Sequence, residues 1–88
     1  MRHYADPEFW RYYRALPDDI RELADKNFEL LKANPKHPSL RFKKLKGTSN
    51  LWSARVGIEY RAVAAQCDDG IQWFWIGTHA DYERLLSQ

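Results

Sequence analysis

Eighty-eight residues, 44% of them hydrophobic and 15% aromatic, suffice for one small domain over residues 1–88 with a core dense in large side chains. That composition excludes a disordered chain. One cysteine, Cys67, excludes an internal disulfide, no apolar run approaches a membrane span, and Met1-Arg2-His3-Tyr4 leads into no apolar signal region. A soluble cytoplasmic protein with no membrane partner is therefore expected. The net charge of +2 conceals an uneven distribution. Residues 1–38 are balanced, residues 39–61 carry Arg41, Lys43, Lys44, Lys46, Arg55 and Arg61 against Glu59 alone, and residues 62–88 are acidic. Such a basic band suits a polyanionic partner, although lysines on a sheet edge also serve solubility.

Asp6-Pro7 reads as an N-cap followed by proline at the first helical position, and Phe9, Trp10, Tyr13 and Leu16 recur near helical spacing. Pro17 ends that helix and opens a second, with Asp18 and Asp19 in its first turn. Ile20, Leu23, Ala24, Phe28 and Leu31 then mark an amphipathic helix that Asn34-Pro35 stops. After Pro38 the period changes. Leu40 to Lys43 alternates, Gly47 to Asn50 forms a turn, and Leu51 to Val56 reads as a strand with Trp52, Ala54 and Val56 on one face and Ser53 and Arg55 on the other. Tyr60 to Ala65 is a third strand, Cys67 to Gly70 a tight turn, and Ile71 to Ile76 a central strand covered on both faces. Ala80 to Ser87 forms a last short helical turn, and residues 2–5 allow one more short strand. The expected class is α+β, an N-terminal helical hairpin packed on one face of a four-stranded, mainly antiparallel sheet.

Function would then sit on the other sheet face. A three-residue loop at Gly57-Ile58-Glu59 pairs Val56 with Tyr60 and sets Arg55 directly opposite Arg61. A three-residue loop at Asp68-Asp69-Gly70 pairs Ala65 with Trp73, Val63 with Trp75 and Arg61 with Gly77. Alternation then brings Arg55, Arg61 and the position of His79 to one face. Opposed like charges repel, and an anion between them relieves this. Cleavage of RNA by its own 2′-OH needs a base, cations on the crowded phosphorane and an acid at the leaving oxygen. Arg61, Arg55, Lys44, Lys46, His79 and Tyr82 supply all three without a metal or other cofactor. There is no metal-ligand spacing, glycine-rich phosphate loop or nucleophile motif in the chain. Taken singly, His79 reads more readily as a turn residue, Tyr82 as helix packing, the lysines as solvated side chains and Trp73-Phe74-Trp75 as core. Arg61 is the least easily explained by structure, because an unpaired buried guanidinium is costly.

Three strings carry a family resemblance: Asn34-Pro35-x-His37-Pro38-Ser39-Leu40 with Phe42-Lys43-Lys44-Leu45, Trp52-Ser53-x-Arg55-Val56-Gly57-x-x-Tyr60-Arg61-Ala62, and Trp73-x-Trp75-Ile76-Gly77-Thr78-His79-Ala80-x-Tyr82. Over roughly residues 7–86 the chain resembles the RelE/ParE superfamily of bacterial toxins. The resemblance implies a two-helix, four-stranded toxin fold and a cognate antitoxin that wraps the active face. Nuclease members cut messenger RNA in the ribosomal decoding site, which makes mRNA and the ribosome expected partners. Arg61 matches their third-strand arginine, Lys44 and Lys46 their basic positions, His79 a position occupied by Arg, Lys or His, and Tyr82 a C-terminal tyrosine. Asp81 and Glu83, flanking Tyr82, depart from the pattern. The leading expectation is a metal-independent, translation-coupled endoribonuclease with Arg61, His79, Tyr82 and Lys44 in catalysis and Arg41, Lys43, Lys46 and Arg55 on the RNA. The alternative is a non-enzymatic toxin that binds and poisons DNA gyrase.

Overall fold

A computed structural model describes residues 1–48 and 50–87; Ser49, in the expected 47–50 turn, lies outside them. Strand β1 (Arg2–Ala5) leads through Asp6 into helix α1 (Pro7–Arg14), where the Asp6 carboxylate accepts the Phe9 N–H at 3.0 Å. Such a cap contributes about 1 kcal/mol. Pro17 precedes α2 (Asp18–Ala33), and Arg21 bonds both the Leu16 carbonyl and Asp18, which fixes the junction of the two helices. Asn34 ends α2, as expected.

The alternation from Leu40 to Lys43 does not make a strand over its whole length. Pro38 starts a 3-10 turn (Pro38–Leu40), held by the Ser39 N–H donating to His37 Nδ1, and Arg41 follows with φ 43°. Only Lys43–Lys44 pairs, as β2. Then come β3 (Leu51–Val56), β4 (Tyr60–Cys67), β5 (Gly70–Thr78) and α3 (His79–Leu86). The sheet order is β1-β5-β4-β3-β2, antiparallel except for β1, which lies parallel to β5. The sheet therefore has five strands and not four, because the 2–5 segment adds to the edge of β5. That addition leaves β5 interior, between β1 and β4.

One sheet face carries the core. Ala54, Val56, Ala62, Ala64, Ile71, Trp73 and Ile76 pack with Leu16, Leu31 and Leu40. Burying a side chain such as Ile71 or Leu40 contributes about 1.5–3 kcal/mol. Gly57 in the β3–β4 loop has φ 65° and would place a Cβ 2.9 Å from Leu23, so both its backbone and its neighbour require glycine. Trp52 closes the core edge by stacking on Phe42, ring centroids 4.9 Å apart.

His3 fixes β1 to this core. The Trp73 Nε1–H donates to His3 Nδ1 at 3.2 Å, and the His3 ring meets Phe28 edge-on. Burial, with the N-terminal amine and Lys32 adding to it, holds His3 below its ordinary value of 6.5. Above 6.5 the ring is neutral folded or unfolded. As pH falls from there towards the folded value, the unfolded chain takes the proton first and stability is lost. In urea melts on either side of pH 6.5, His3→Gln, which keeps an acceptor for Trp73 but cannot titrate, is expected to show a shallower loss than the parent. An unchanged loss would place the titration elsewhere.

Candidate active site

The β3–β4 hairpin turns in three residues, so Val56 pairs with Tyr60 and Arg55 stands opposite Arg61, as expected. The second hairpin differs. Its loop holds two residues, Asp68 and Asp69, so Ala65 pairs with Gln72 and Ala64 with Trp73. A bulge then admits Phe74 as an extra residue, which restores Val63 opposite Trp75 and Arg61 opposite Gly77. Trp73 is thereby turned to the helices and into the core, while Trp75 stays on the face of Arg55 and Arg61. The expected pairing of Ala65 with Trp73 is corrected; the pairing that positions Arg61 stands.

On this face the Trp75 indole lies over Gly77, where an added Cβ would approach it to 2.7 Å. Tyr12 of α1 and Tyr82 of α3 flank the indole at centroid distances of 6.2 and 6.5 Å, and His79 lies 5.9 Å from Tyr82. Helix α3 starts at His79, one residue before the expected Ala80. The Thr78 hydroxyl caps it by accepting the Asp81 N–H at 3.1 Å, and the His79 N–H donates to the Glu59 carbonyl at 2.6 Å. This last bond ties the start of α3 to the β3–β4 loop beside Arg61.

Arg61 donates through Nη1 to the carbonyls of Tyr60 at 2.8 Å, Ile58 at 3.0 Å and Gly57 at 3.4 Å. Burial holds its guanidinium below the ordinary arginine value; Arg55 and, less strongly, Arg41 push the same way, while Tyr82 opposes them. The group stays charged throughout the physiological range. Arg55 carries a buried Nε with no hydrogen-bond partner among the described residues. Two arginines opposed directly across strands concentrate positive charge on this face, and an anion between them relieves their repulsion.

The lysines divide. Lys43 pairs with Ser53 and so shares the face of Arg55, whereas Lys44 pairs with Trp52 and points to the helix side. Lys46 sits exposed in the turn after β2, and Arg41 is exposed yet near enough to act on Arg61. The structure thus brings together Arg41, Arg55, Arg61, His79 and Tyr82, with Lys43 on their face, and sets Lys44 apart from them. Asp81 is tied to Arg84, which holds its carboxyl below the usual range, and Glu83 bonds His79 at 2.9 Å.

Residues 18–84 match the family model of the ParE-like toxin domain. The chain belongs to this toxin family. Its fold is shared with solved toxins: a chain of the RelB–RelE antitoxin–toxin complex of Methanococcus jannaschii (TM-score 0.74, 20% identity, 93% of this chain and 96% of that one), YafQ of E. coli strain BL21(DE3) (0.72, 14%, 92% and 96%), and the YoeB/ParE toxin of Agrobacterium tumefaciens (0.68, 19%, 90% and 99%). Comparison with curated protein sequences gave no match. The protein is a toxin of the RelE/ParE superfamily with the α+β fold of RelE-like toxins.

Three residues of the candidate site carry no signal in the sequence that places them there. Tyr12 lies far away in the chain and no local pattern marks it. Trp75 is separated from Trp73 by a bulge without a sequence signature. Glu83 stands four residues after His79, a spacing that pairs side chains once the helix is known to start at His79.

Proposed function

We propose that this toxin is a metal-independent endoribonuclease acting on messenger RNA at the ribosome. The observation that carries the reading is the opposed Arg55–Arg61 pair, with Tyr82 near enough to act on the charge of Arg61. Arg61 and Arg55 receive the scissile phosphate and stabilise the charge that builds on its oxygens, the Nη1 contacts of Arg61 having fixed it in place beforehand. The proton transfers fall to the start of α3, where His79, Tyr82 and Glu83 lie. Arg41, Lys43 and Lys46 track the RNA backbone. Controlled expression in bacteria tests this. Rapid loss of messenger RNA with halted translation is expected, whereas filamentation with a DNA-damage response would favour gyrase as target.

The lysine placement gives a sharper test. The joint change Lys43→Ala and Lys46→Ala is expected to reduce the slope of log affinity for RNA against log salt by roughly one for each phosphate contact removed. Lys44→Ala, on the helix side, is expected to leave it unchanged. Equal effects from Lys43 and Lys44 would contradict the register.

The cognate partner is an acidic antitoxin. Support comes from the basic band at residues 41–61 and from the antitoxin-bound state of the M. jannaschii relative. Co-expression with a small acidic protein encoded beside the toxin is expected to restore growth and to yield a copurifying complex; a freely growing culture without complex formation would count against it.

A further inference from the structure

Glu83 is one of the two acidic residues that depart from the family pattern, and it is in contact with His79. His79 Nε2 and Glu83 Oε1 lie 2.9 Å apart, one helical turn separating the residues. The other ring nitrogen, Nδ1, is buried and has no partner among the described residues. A proton on Nδ1 would be an unsatisfied buried donor, and in the neutral ring it would also leave the Nε2 lone pair facing a carboxylate oxygen. Only a proton on Nε2 alone makes the 2.9 Å contact a hydrogen bond and leaves nothing but a lone pair inside. A neutral imidazole protonated at Nε2 is a poor acid, and its one basic nitrogen is out of reach of RNA. His79 so placed cannot take a proton from substrate. The carboxylate that it holds can, for the Glu83 side chain is 66% exposed.

Resting on the nuclease reading above, we infer that Glu83 is the general base of the reaction and His79 the residue that positions it. The 2′-OH gives its proton to Glu83 while the 2′ oxygen attacks phosphorus. The bond from phosphorus to the 5′ oxygen breaks, and that oxygen takes the Tyr82 hydroxyl proton. The cleaved strand ends in a 2′,3′-cyclic phosphate and a 5′-hydroxyl. Solvent then carries the proton from Glu83 back to the Tyr82 anion, which Arg61 stabilises meanwhile.

The test pairs nitrogen NMR of the His79 ring with cleavage of message on programmed ribosomes by the full-length chain. The parent protein is expected to carry its His79 proton on Nε2. Glu83→Gln keeps an oxygen acceptor for that proton but is no base, so it should preserve the ring signature and lose activity about a hundredfold or more. His79→Gln, which retains an N–H donor for the carboxylate, should keep more activity than His79→Ala. Parent-like cleavage by Glu83→Gln, a proton on Nδ1 of the parent, or equal loss in both His79 variants would overturn the assignment while leaving the nuclease reading in place. A parent protein that cuts nothing would overturn the nuclease reading and this base with it.

Discussion

Arg61→Ala is expected to reduce cleavage of ribosome-bound message by about a hundredfold or more, with the protein still folded and still bound by its antitoxin. The size follows from removing a preorganised cationic donor from the charge that develops on the phosphate. Preorganisation is visible in the carbonyls of Gly57, Ile58 and Tyr60 that hold Nη1 before any substrate arrives. The fold should tolerate the loss, because truncation also removes the repulsion between Arg61 and Arg55 directly opposite. Tyr82→Phe keeps the ring beside Trp75 and removes only the hydroxyl, so its expected loss of roughly a hundred to ten thousandfold isolates proton transfer. The two effects should not multiply in the double variant, since Arg61 stabilises the anion that Tyr82 leaves. Full toxicity in both single variants would move gyrase to first place.

Gly77→Ala is expected to destabilise the toxin by about 1–3 kcal/mol, the usual effect of forcing a methyl group into packed space. The new Cβ would lie 2.7 Å from Trp75 Cζ2 and 3.0 Å from Cη2, and the indole is buried with Tyr12 and Tyr82 beside it. A shift of Trp75 displaces Tyr82 as well, so activity should fall further than thermal stability explains. Trp75→Phe in the same chain shortens the ring and should recover part of the loss. Melting and cleavage of the two single variants and the double give the coupling directly. Strict additivity would mean that the close approach of Trp75 to Gly77 carries no energy.

The parts of this fold that sequence reveals are those set by local chemistry. Asp6-Pro7, Pro17 and Asn34-Pro35 mark the helices by capping and by the missing proline N–H; the structure keeps the start of α1 and both ends of α2, and ends α1 at Arg14, short of the expected Pro17. The Arg55–Arg61 opposition follows from one three-residue loop with a glycine at positive φ. What remained hidden depends on distant partners or on single-residue phase. Arg2–Ala5 is legible as a possible short strand, but its parallel pairing with β5 depends on a partner far away in the chain. Two errors of one residue, the short Asp68-Asp69 loop and the bulge at Phe74, cancel at Arg61 but not at Trp73. Lys43 and Lys44 could not be told apart because β2 spans only two residues and its phase is set by β3. Starting the last helix at Ala80 left His79 outside it, and with His79 outside, the contact with Glu83 could not be seen.

End mapping of message incubated with purified toxin on programmed ribosomes reads the chemistry of cleavage itself. The parent chain should leave 2′,3′-cyclic phosphate and 5′-hydroxyl ends, and Arg61→Ala should leave the message whole. Intact message with the parent protein would rule out a nuclease, and ends carrying a 5′-phosphate would rule out attack by the 2′-OH.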